Sequence, residues 1–176
     1  MTTLLAESTG RLSIAVSEKR PSEFAFKSAA EIVECGETLI VVDTAGCFEP
    51  TRMTHSARIG AIDPVNLMKR LHILRTGSAA DLEHLVLYQL EQAMDKLSTR
   101  HVLFPDLLTT LYDPQIPTRD AARILGRVKA RLEELVSNGA QIVLLCRQAG
   151  PELGTRAHFL SSLCTAANRV YFRNST

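Results

Sequence analysis

The sequence predicts an α/β domain built on a mostly parallel β-sheet with helices on both faces. Short, solid apolar runs such as Thr38-Leu-Ile-Val-Val-Asp43 and Gln141 to Cys146 fit strands buried on both sides. Between them lie longer segments whose apolar residues recur at helical spacing, so strand and helix alternate along the chain. Such alternation requires right-handed crossovers between parallel strands. At 176 residues, 45% apolar and 22% charged, the chain suits one ordinary folded domain over residues 1–176.

The elements follow in order. Leu12 to Val16, bounded by Gly10 and the polar stretch Ser17 to Pro21, is a first strand and loop. Pro21 or Ser22 starts a helix carrying Phe24, Ala25, Ala29, Ile32 and Val33, which Gly36 stops. The strand ending at Asp43 feeds a loop to Pro50. Asp63-Pro64 is an N-cap and first helical turn, and Leu71 to Leu74 is a third strand. From Ala79 to Leu97 the residues Leu82, Leu85, Val86, Leu90, Ala93, Met94 and Leu97 trace one wide helical face. His101 to Phe104 is a strand, and a helix from a capping Thr118 runs to the Asn138-Gly139 stop. Gln141 to Cys146, a helix over Thr155 to Ala167, and Arg169 to Phe172 complete the series, with no internal repeat and no linker.

Twenty basic and nineteen acidic residues leave a net charge of +1, so nucleic acid would have to be met by a local patch. No secretion signal is legible in MTTLLAESTGRLSIAV, and no apolar run reaches the roughly 18 residues of a membrane span, which makes cytoplasmic the expected location and excludes a membrane partner. Cys35, Cys47, Cys146 and Cys164 form no CxxC pair and have no His at zinc-ligand spacing; they read as reduced and mostly buried. No metal is expected. In sheets of this kind ligands meet the carboxyl ends of the strands, so the loops Ser17 to Pro21, Asp43 to Pro50, Pro105 to Pro117 and Arg147 to Gly154 share one candidate rim.

The run Leu39-Ile-Val-Val-Asp43-Thr-Ala-Gly-Cys-Phe48-Glu-Pro50-Thr-Arg52-Met53 resembles the RecA/RadA recombinase family, whose second core strand ends in an Asp-x-Glu-Gly-x-Phe-x-Pro-x-Arg-type segment. Leu71 to Arg75, the helix Ala79 to Leu97, Val102 to Asp106 with Thr109 to Tyr112, and Gln141 to Gln148 look like later elements of that family in order, over roughly residues 11 to 150. The resemblance implies a RecA-like P-loop ATPase core. It also makes Asp43, the Walker-B-like Asp106 and the nucleotide-sensing Gln148 vestigial catalytic candidates.

The departures bear on function. A phosphate loop needs GxxxxGK[ST], because glycines let successive N–H groups wrap the phosphates while Lys and Ser/Thr serve charge and magnesium. The equivalent stretch here, Ser17-Glu18-Lys19-Arg20-Pro21-Ser22, has no glycine, puts Glu18 where phosphates would sit, and loses an N–H at Pro21. Lys19, Arg20 and Ser22 are the anion-binding candidates, with a plain turn as the alternative. Ala45 stands where the family has the carboxylate that orients the attacking water, and alanine cannot do so.

The family meets DNA through loops after the fourth and fifth strands, here Asp113 to Pro117 and Ala149 to Gly154, both short, proline-containing and not basic. Arg123, Arg127 and Arg131, with Arg119, form a helical stripe that is the nucleic-acid candidate; a solvated helix face diluted by Glu133 and Glu134 is the alternative. Asp43-Thr-Ala-Gly46 also matches the magnesium-switch motif of P-loop GTPases, but the upstream phosphate loop and an NKxD-like reader are missing. The expectation is a catalytically inactive RecA-like domain with no cofactor. It would act through a protein partner or as a homo-oligomer, and the resemblance points to DNA repair, recombination or SOS mutagenesis. The alternative is an ATPase or GTPase with a noncanonical phosphate loop.

Overall fold

The computed structural model describes residues 10–17, 22–44, 46, 48, 63–148 and 150–173. Six strands form one sheet: β1 (Arg11–Ser17), β2 (Leu39–Asp43), β3 (Leu71–Arg75), β4 (His101–Phe104), β5 (Gln141–Arg147) and β6 (Arg169–Arg173). Their spatial order is β3-β2-β4-β5-β1-β6, and every pairing is parallel. β1 lies between β5 and β6, with Val16 opposite both Cys146 and Phe172. The six strands fall where the apolar runs predict them, each within a residue or so at its ends.

Strand alternation sends successive side chains to opposite faces, which explains why the apolar runs are continuous. Leu12, Ile14, Val16, Ile40, Val42, Val102, Phe104, Ile142 and Leu144 share one core cluster. It is covered by α3 (Ala79–His84), α4 (Leu90–Lys96), α5 (Thr118–Ser137) and α6 (His158–Cys164). Ala15, Leu39, Val41, Leu103, Val143 and Leu145 share the other, covered by α1 (Ser22–Glu34) and α2 (Pro64–Arg70). Helices on both faces of a parallel sheet make this an α/β fold, compatible with a RecA-like core.

Local chemistry sets the helix ends. Asp63 caps α2 by accepting from the Val65 N–H at 3.0 Å, with Pro64 in the first turn as its sequence predicts. Thr118 does not cap α5. The N-cap position belongs to Pro117, and the Thr118 hydroxyl instead accepts from Arg156 Nε at 3.3 Å. The expected helix over Thr155 to Ala167 is shorter, because a 3₁₀ segment, Pro151–Arg156, comes first and the chain turns at Gly154, whose φ of 51° favours glycine.

The long amphipathic face from Ala79 onward is one helical path interrupted by a π-helical turn, Leu85–Gln89, in which the Leu90 N–H reaches the Leu85 carbonyl. Eight residues of regular α-helix would rotate Glu91 about 80° past Glu83. The wider turn winds part of that rotation back, and both carboxylates meet arginines of α5. Among the described residues no helix is long and apolar enough to cross a membrane.

Candidate functional site

A parallel sheet gathers the carboxyl ends of its strands at one rim, here Ser17, Asp43, Arg75, Phe104 and Arg147. β1 ends at Ser17 and α1 begins at Ser22, so four residues, 18–21, make the connection where a phosphate loop would stand. A phosphate loop needs about eight residues, with glycines, to fold its N–H groups around an anion. Lys19 and Arg20 lie outside the described residues, as do Ala45 and Cys47. Ser22 is the first residue of α1.

Asp43 is buried, with its side chain wholly out of solvent. Its carboxylate accepts the Phe48 N–H at 3.1 Å and lies 3.9 Å from Arg75 Nε, while Arg75 Nη2 donates to the Phe48 carbonyl at 2.7 Å. Carboxylate and guanidinium thus hold both backbone groups of Phe48, whose ring is buried against Phe26 at a centroid distance of 4.6 Å. The neighbouring Thr44 hydroxyl donates to the Asp106 carbonyl at 2.6 Å, tying the end of β2 to the chain beyond β4. Asp43 and Asp106 are therefore both built into the packing of the rim.

Asp106 is itself buried. Burial, reinforced by the Asp106 carboxylate, pushes the Tyr112 phenol well above its ordinary range. Burial likewise drives the Cys146 thiol far up, and Asp106 adds to the effect, so this cysteine is held as a neutral, unreactive thiol. Gln148 leaves its side chain exposed while its backbone N–H donates to the Ser17 carbonyl at 2.8 Å, bridging the ends of β5 and β1. Cys164 is half-buried and Cys35, just past α1, is exposed, which departs from the expectation of mostly buried thiols. Among the described residues no group of three His, Cys, Asp or Glu is placed to hold a metal ion.

The residue that sequence reasoning missed is Arg156. It is 7% exposed, and its guanidinium donates to the carbonyls of Leu111 at 2.9 Å, Asp113 at 2.6 Å and Ile116, and to Thr118 Oγ1. One side chain from the segment after β5 thus collects the backbone acceptors of the segment after β4. Asp113 and Ile116 lie in one of the two loops that the resemblance implies for DNA, Asp113 to Pro117, and a buried arginine fork from just beyond the other, Ala149 to Gly154, holds it. Two hydroxyls under the same segment, Thr110 Oγ1 and Tyr112 Oη, are buried with no hydrogen-bond partner among the described residues, each a cost of roughly 1–3 kcal/mol.

The arginine stripe on α5 is present, and it faces carboxylates. Arg123 and Arg127 bond Glu83 at 3.1 and 2.8 Å, and remain about half exposed. Arg131 is more enclosed, bonding Glu91 at 2.5 Å and Glu134 at 2.6 Å. Its hydrogen bond to Glu134 contributes most to keeping its guanidinium charged. Half-exposed pairs of this kind are worth about 0.2–1 kcal/mol each, and they offset part of the charge a phosphate backbone would meet.

No family model matches the sequence, and no match was found among curated proteins.

Proposed function

We propose that this chain is a RecA-like core without nucleotide chemistry that works as a protein-interaction module, in DNA repair, recombination or error-prone synthesis. The observation that carries this reading is the four-residue, glycine-free connection between β1 and α1. Such a connection is too short to wrap phosphates, and bound phosphates are what normally complete a magnesium site beside an acid. The Asp43 carboxylate supports the reading, since it is engaged by the Phe48 N–H. The pathway follows from the family resemblance, whose degenerate members act through protein partners.

The proposal is tested by tagging the chain in its native host and recovering it under gentle conditions. It predicts a protein recovered in near-stoichiometric amount, or a defined homo-oligomer. Recovery of the chain alone as a monomer contradicts it.

A further inference from the structure

The segment between β4 and α5 contains a short 3₁₀ turn, Thr110–Tyr112, and no strand or α-helix. Its backbone bonds are local: Leu111 and Tyr112 donate to the Leu108 carbonyl, Ile116 donates to the Asp113 carbonyl, and Gln115 donates to Asp113 Oδ1. It is held down by Arg156, which takes three of its carbonyls, and by the side chains of Leu111, Tyr112 and Ile116. Leu111 enters the cluster that contains Leu107, Leu108, Cys146 and Phe159, and Tyr112 stacks on Phe159 with centroids 6.2 Å apart and ring planes at 12°. The closed arrangement also buries the Thr110 and Tyr112 hydroxyls with no hydrogen-bond partner among the described residues. Opening would return both to water, which lowers the free energy needed to lift the segment.

We propose that residues 109–117 form a strap, latched by Arg156, that opens as a unit over the carboxyl ends of β4 and β5 while the sheet stays folded. Lifting it withdraws Leu111, Tyr112 and Ile116 from the cluster around Cys146 and frees the Arg156 guanidinium at the rim. The device stands apart from the proposed function: it requires neither a missing nucleotide site nor a protein partner.

Cys146 reports the opening, because it is fully buried when the strap is closed, and exposed Cys35 serves as the internal reference. The experiment is peptide-resolved alkylation of the intact chain with N-ethylmaleimide, at urea concentrations below the unfolding transition. The strap predicts slow modification of Cys146 at a rate nearly independent of urea, since a local opening exposes little surface. Arg156→Ala is expected to raise that urea-independent rate by about tenfold or more, with Arg156→Lys intermediate and Cys35 unchanged. A Cys146 rate that climbs with urea in parallel with global unfolding overturns the proposal, as does an unchanged urea-independent rate in Arg156→Ala. Should that variant fail to fold, the urea profile of the unaltered chain decides alone.

Discussion

Replacing Arg156 by alanine is expected to cost about 3 kcal/mol of folding stability. The guanidinium is buried and satisfies the carbonyls of Leu111, Asp113 and Ile116 together with the Thr118 hydroxyl. Truncation leaves these acceptors facing a hole that they cannot fill. Water entering the hole recovers part of the loss, which keeps the figure well below the sum of four separate bonds. For a chain of this length the loss corresponds to a fall in Tm of roughly 6–12 °C, readable by thermal or urea denaturation. Lysine keeps the charge but presents no planar fork, so Arg156→Lys should recover less than half of the stability. An Arg156→Ala protein as stable as the parent would mean that the rim segments are held by their apolar contacts alone.

The second large effect is expected at Asp43. If this acid served bound nucleotide, its removal would leave the fold unchanged or more stable, because charged ligand-binding groups are usually maintained at a cost in stability. Its surroundings predict the opposite. Asp43→Ala strands the buried Phe48 N–H and removes the anion beside Arg75, for an expected loss of about 2 kcal/mol. The hydrogen bond supplies most of that figure, since Arg75 is more than half exposed and its ion pair is screened by solvent. Asp43→Asn retains an acceptor for Phe48 and should lose clearly less. Denaturant titration of the two variants beside the parent gives the comparison, and a gain in stability on removing the carboxylate would return Asp43 to the list of ligand-binding acids.

Much of this architecture is legible in the residues. The run Leu39 to Asp43 is apolar on both faces because both are covered, and that pattern alone identifies a strand of a parallel sheet. The helical face from Leu82 to Met94 is equally plain in the spacing of its apolar residues, yet its π turn is not, since a fifth-residue step between Leu85 and Leu90 hides within a broad apolar stripe. The arginines of α5 stand out as a stripe, whereas Glu83 and Glu91 come from elements far away in sequence, and only the packing of helices makes them partners.

Arg156 leaves no local signal at all. Its role depends on a glycine turn and on carbonyls some forty residues earlier. Asp43 is identified at the end of its strand by sequence, but its work as an internal hydrogen-bond acceptor comes from the path of the chain at Phe48. The site is thus legible as a rim, and the bonds that occupy it are not.

Equilibrium titration of the purified chain with fluorescent ATP and GTP in the presence of magnesium tests the proposal that this parallel sheet carries no nucleotide site. The four-residue connection between β1 and α1 predicts no saturable binding up to millimolar nucleotide. Saturation at micromolar concentration, about −8 kcal/mol, would contradict the account and mark the rim as a working nucleotide site.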